Sequence, residues 1–353
     1  MGILRTMLAL SVLFVHAYEP IFTDGKLAVQ IFFLISGYLI SFILHEVKSY
    51  SSTMIFYKNR FLRIFPLYFC ISAFSLLVYL AGHIFFDGWV TIDRFIESTF
   101  FSKIFLVFTN TFIVGQDLIG FIDINFINPF NHDEETILLL DNGLLVPPSW
   151  TIALELYFYL LAPFILRNKY LLICLFFSSL IFKFYFLLAG VELSKPFEYQ
   201  FFPMELSIFL LGAISHQYIS PKVGKFFENL SASKNILLLI FLMQFLIFNQ
   251  LYNHYYFSDY IIILAVAFFL PFLFQFQKNF KIDRKIGALS YPIYLSHWIV
   301  IIIVSFFMAR LGIENEEFRL LIIAIMTILV SFLLNELIEK RVEEKRKFNK
   351  LNS

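Results

Sequence analysis

Charge is what this chain has least of. Only 15% of its residues are Asp, Glu, Lys or Arg, against 59% hydrophobic. A soluble domain needs a charged surface, so this shortage excludes one and points to a polytopic membrane protein. A mean hydropathy of +0.78 agrees. Cysteine is nearly absent. Cys70 and Cys174 each sit inside an apolar run, which excludes a disulfide framework and reads as two small core residues. There is no basic patch interleaved with exposed aromatics, and the net charge is +1, so nucleic acid is not an expected partner. No glycine-rich phosphate loop occurs. His45, His83, His132, His216 and His254 lie at span ends or in loops, without metal-ligand spacing or acidic company, so no metal is expected. The first apolar run lacks a small-residue cleavage site and reads as a retained span.

What the chain does have is apolar runs of membrane length. Windows of about 20 residues mark ten spans. They fall near 3–22, 27–46, 62–83, 150–166, 170–189, 202–218, 235–252, 258–276, 288–309 and 319–338. The stretch 98–115 is interrupted by Lys103, Asn110 and Thr111. Charge placement decides how to read it. With ten spans and both termini cytoplasmic, 20 of the 27 Lys and Arg residues face the cytoplasm. A crossing at 98–115 would put Asp117, Asp123, Asp133, Glu134, Glu135 and Asp141 there with no cation beside them. The positive-inside tendency disfavours that, so 98–115 reads as a re-entrant or interfacial piece within an outward loop, 84–149. The expected fold is an all-α transmembrane bundle over 1–338, with a short charged cytoplasmic tail over 339–353.

A few polar residues stand out inside the apolar runs. Arg5 and His16 are eleven residues apart, about three helical turns, so they share a face with about 16 Å between them. Arg5 alone reads as an interfacial anchor. His16 lies in the outer half of the bilayer, where an ionisable side chain is costly and usually faces a cavity. A neutral imidazole there serves as a general base or as a helix–helix hydrogen bond. Arg60 and Arg63, three apart at the start of the third span, share a face and suit phosphate groups. Positive-inside charge alone also explains them. Glu155, inside the span that opens at Trp150, needs a partner, and His16 matches it in depth. Trp150 fits an aromatic belt or a sugar platform equally. Ser36 and Gly37 read first as a packing seam. Tyr291, Tyr294 and His297 fall in the first half of the ninth span, where His297 is as consistent with a structural hydrogen bond as with a site.

Taken together, these residues resemble the acyltransferase-3 family of integral-membrane acyltransferases, which modify cell-surface sugars. The likeness rests on five segments in order. They are Arg5 with His16; Phe32 to Gly37; Arg60 and Arg63 followed by Pro66 and Tyr68; Trp150 to Tyr159, with Glu155; and Ser290 to His297. Thr151 stands where Ser is more usual, and only Met1 to Leu4 precede the first arginine. The resemblance implies an acyl-CoA co-substrate, most often acetyl-CoA, held from the cytoplasm. It implies transfer to a hydroxyl of a carbohydrate or lipid-linked glycan, from the bacterial inner membrane. His16 would be the catalytic histidine, and Arg60 and Arg63, with Arg5, would contact the CoA phosphates. Glu155 would orient or charge-stabilise His16. Ser36, Trp150, Tyr294 and His297 would line the substrate cavity. Direct transfer and a covalent acyl-His step both stay open. The competing expectation is a transporter or flippase of a lipid-linked sugar, with His and Glu as a proton relay.

Overall fold

The computed structural model describes residues 1–17, 20–47, 52–86, 92, 95–96, 98–121, 143–188, 199–223, 240, 244 and 256–351. No strand occurs among them, and the expected all-α polytopic bundle is what forms. Its helices are α1 (Gly2–His16), α2 (Gly25–Glu46), α3 (Thr53–Phe85), α4 (Phe100–Phe112), α5 (Trp150–Ile165) and α6 (Lys169–Leu188). They continue as α7 (Phe202–Ile214), α8 (Tyr256–Asn279), α9 (Lys281–Gly287), α10 (Ser290–Arg310), α11 (Glu316–Leu334) and α12 (Lys340–Leu351). Among the described residues, seven helical stretches are long and apolar enough to cross a membrane. Apart from residues 240 and 244, the expected span 235–252 lies outside the described residues, as do His132, His254 and the loop stretch 122–142.

Three element boundaries differ from expectation. α1 ends at His16 rather than near 22, where the Ala17 N–H closes the last turn on Leu13 and Pro20 cannot continue a helix. α3 begins at Thr53, not 62. Lys58, Arg60 and Arg63 are good helix formers, so the helix runs on beyond the apolar window. Its 33 residues reach about 50 Å, well past a hydrocarbon core of about 30 Å. Likewise α11 does not stop near 338. It passes through a π-helical turn, Asn335–Glu339, into α12. The overhanging ends of α3 and α12 run antiparallel and touch, with Arg346 donating to Asn59 Oδ1 at 2.9 Å.

α4 has 13 residues, about 20 Å, too short to cross. Phe100, Phe101, Ile104 and Val107 on it are exposed, an apolar face suited to lipid. Its C-terminal turn is tied to the rest through Asn110, which donates to Gly143 O at 3.0 Å and accepts from Leu145 N at 2.8 Å. That tie holds the segment entering α5. Cys70 and Cys174 are exposed, so they face lipid on α3 and α6 rather than the core expected of them.

Two close approaches set the frame of the site. α2 and α7 cross at glycines, where a Cβ on Gly37 would lie 1.8 Å from Phe209 O and one on Gly212 would lie 2.0 Å from Leu34 O. The seam expected of Gly37 is therefore real. At the other approach, the N-terminus of α1 rests on α9. Asp283 accepts from the Gly2 and Ile3 N–H groups, both at 2.8 Å, and so caps α1 from a separate helix.

Candidate active site

The residues singled out on α1, α2, α3, α5 and α10 converge on one pocket of about 130 Å³. Arg5, Ser36, Arg60, Arg63, Glu155 and Tyr294 all line it, with Thr151, Tyr159 and Tyr291. The spacing of Arg60, Arg63 and Ile64 puts them on one face of α3, and all three reach the pocket. Arg60 lies against a pair of aromatic rings, its guanidinium 5.7 Å from the centroids of both Phe56 and Tyr159. It donates to Asn59 Oδ1 at 2.9 Å. Its Nε is buried without a hydrogen-bond partner. Arg63 lies 5.1 Å from the Tyr291 ring and forms an ion pair with Glu339. Tyr291 donates to Ile64 O at 2.9 Å, which locks that ring beside Arg63.

Ser36 and Gly37 divide their labour. Gly37 lets α7 approach, while the neighbouring Ser36 faces the pocket and donates to Glu155 at 2.6 Å. Tyr159, one turn along α5, donates to the same carboxylate oxygen. The expected pairing of Glu155 with His16 does not form. The reason is packing: α1 lies chiefly against α10, α9 and α2, whereas α5 lies against α2, α3 and α7. Glu155 therefore meets α2, and His16 meets α10.

His16 and His297 form a pair beyond the pocket. His16 Nδ1 is 3.0 Å from His297 Nε2, and the two ring planes differ by only 7°. Trp298 meets His16 edge-on, with centroids 5.3 Å apart. Tyr294 separates pocket from pair. It lines the pocket, its hydroxyl lies 2.8 Å from Thr151 Oγ1, and its ring centroid is 6.0 Å from that of His297. Phe32 packs on Tyr294 at 5.7 Å and closes the same end. Thr151 thus links α5 to α10 here. Trp150 does not line the pocket. It stacks edge-on against Tyr199, 5.2 Å away.

At its other end the pocket meets a wider vestibule of about 1010 Å³, with Arg5 and Arg63 on both linings. Lys281, Arg284 and Lys285 of α9 and the acidic and basic residues around Glu339 complete its walls. Sequence reasoning did not single out Asn59, Glu339 or this α9 cluster as site residues. A second polar cluster also went unread. Glu205 is fully buried, 2.5 Å from Lys183 Nζ and bonded by Gln30. The signal was present: one lysine and one glutamate interrupt two otherwise apolar spans.

Comparison with known proteins adds independent evidence. A family model described as an acyltransferase domain matches residues 1–336. An uncharacterized protein of Aquifex aeolicus (strain VF5) is 30% identical over 204 residues, 57% of this chain and 89% of that protein. No solved structure matches. With nearly the whole chain matched, this multi-pass membrane protein belongs to the acyltransferase-3 family and is a membrane acyltransferase.

Proposed function

We propose that the protein moves an acyl group, acetyl by preference, from cytoplasmic acyl-CoA to a hydroxyl of a cell-surface or lipid-linked glycan. In this reading it sits in the inner membrane, with the vestibule and both termini on the cytoplasmic side. The observation that carries the reading is the gathering of Arg5, Arg60 and Arg63 on one small pocket whose lining holds a single carboxylate, Glu155. Two carboxylates, Glu155 and the Glu339 that pairs with Arg63, face three guanidiniums, and the Nε of buried Arg60 has no hydrogen-bond partner. An anionic ligand relieves both. Phosphate groups match guanidinium forks well. The vestibule, with Lys281, Arg284 and Lys285, is roomy enough for the nucleotide end of the donor.

The acyl-pantetheine arm then extends from the arginines toward His16, along a path of about 16 Å set by three turns of α1. Tyr294 and Phe32 must move aside to let the thioester pass. His16 takes the proton from the acceptor hydroxyl as its oxygen attacks the thioester carbonyl. The tetrahedral intermediate collapses by breaking the C–S bond. The CoA sulfur leaves with the proton from His16, giving the O-acyl glycan and free CoA. Glu155 supplies the counter-charge for the arginines and fixes Ser36 and Tyr159 on the pocket wall.

Mass spectrometry of surface glycans from cells carrying wild type, His16→Ala or Arg60→Ala tests this. Acylated glycan is expected with wild type and lost with His16→Ala. Arg60→Ala is expected to reduce it at least tenfold. Unchanged acylation with His16→Ala, at equal protein in the membrane, removes His16 from the chemistry.

A further inference from the structure

We propose that His297 is a positioning residue that fixes the tautomer of His16, leaving the lone pair of the base on Nε2. This deepens the reading of His16 as the base and rests on it. His297 is fully buried, and its Nδ1 lies 3.2 Å from Ile293 O, one turn back on α10. A carbonyl oxygen only accepts, so His297 Nδ1 carries the hydrogen. In the neutral imidazole the other nitrogen, Nε2, is then an acceptor. Nε2 faces His16 Nδ1 at 3.0 Å, with the rings nearly coplanar, which is the geometry of an in-plane hydrogen bond. His16 Nδ1 must therefore be the donor, and its Nε2 is left unprotonated.

No carboxylate is hydrogen-bonded or ion-paired to either ring among the described residues. Among the described residues, a backbone carbonyl and a second imidazole stand where other histidine bases use an acid. The carbonyl cannot take a proton, so the relay orients His16 without storing the proton it removes. Among the described residues, titratable groups beside the pair include Tyr294, whose ring packs on His297, and Tyr79, which hydrogen-bonds Trp298.

The test uses the full-length protein in nanodiscs with ¹⁵N-labelled histidine, assigned through His16→Gln and His297→Gln. Nitrogen shifts are expected to report an Nδ1–H tautomer for both His16 and His297. An Nε2–H tautomer at His16 in the wild type overturns the proposal, whatever the activity. Kinetics supply the second arm. His297→Leu removes the acceptor and is expected to lower kcat on the order of 100-fold, the scale of general-base assistance, with the donor KM unchanged. His297→Gln keeps an acceptor and is expected to recover at least tenfold of that loss. Equal kcat in the Leu and Gln variants, or a change confined to KM, contradicts the positioning role. An active His16→Ala would instead remove the reading on which the role rests, so the two failures are distinguishable.

Discussion

Arg60 illustrates how much one residue's surroundings decide. Its neighbour Asn59 accepts from both Arg60 and Arg346, so a single amide oxygen couples the pocket to α12. Phe56 and Tyr159, themselves an edge-to-face pair, back the guanidinium, and its Nε is buried without a hydrogen-bond partner. At the other end of the molecule, Asp117 shows what burial does to a loop carboxyl. It is 3% exposed and accepts from Tyr157 at 2.8 Å. Burial pushes its pKa up to about 6, although the Tyr157 hydrogen bond pulls the other way. A raised pKa means that folding favours the protonated form. This group's contribution is therefore fully present below the ordinary carboxylate pKa and is lost as pH rises through about 6. Asp117→Asn should flatten the fall in melting temperature between pH 4 and pH 7, measured by thermal unfolding in detergent. An unaltered slope would remove Asp117 from that titration.

Helix pairs explain why the polar residues meet. The α2–α7 crossing at Gly37 and Gly212 has no room for a Cβ. Gly37→Ala forces backbone apart and should cost on the order of 3 kcal/mol, enough to deplete folded protein from the membrane. Near-normal levels and melting temperature would show that the seam gives more easily than this. The pairing of α3 with α12 bears on the donor path. Glu339 occupies Arg63 at the vestibule wall. If the donor phosphates use Arg63, they compete with this carboxylate. Glu339→Gln should then lower the donor KM severalfold at unchanged kcat in steady-state assays, and a raised KM would mean that Glu339 organises Arg63 for the donor.

These pairs also mark what the sequence could tell. Periodicity and depth made Arg5, Arg60, Arg63, Ser36 and Glu155 legible as odd polar residues in apolar spans, and they do converge. The partner of Glu155 was not legible. Depth alone made His16 a match, but depth says nothing about which helix face meets which. The choice between Ser36 and His16 is made by helix neighbours, and these are settled by long-range packing at glycines. The overhangs of α3 and α11–α12 were missed for a local reason: a hydropathy window ends where charges begin, whereas Lys, Arg and Glu continue a helix readily. That is why Glu339 and Arg346 were assigned to a tail rather than to the vestibule.

At the scale of the whole molecule, the polar groups of the site follow one path through an apolar bundle. The vestibule opens at one end, the three arginines follow, Tyr294 closes the pocket, and the His16–His297 pair lies beyond. Large apolar side chains on α4, α6 and α11, among them Phe101, Ile181 and Leu329, are exposed around it and suit contact with lipid. The central claim is that the arginine pocket is the donor site. Titration of CoA into nanodisc-embedded protein, followed by calorimetry, tests it directly. Saturable binding is expected for wild type, preserved in His16→Ala and weakened at least tenfold in Arg60→Gln. CoA binding that is absent from wild type, or equal in wild type and Arg60→Gln, would contradict the account.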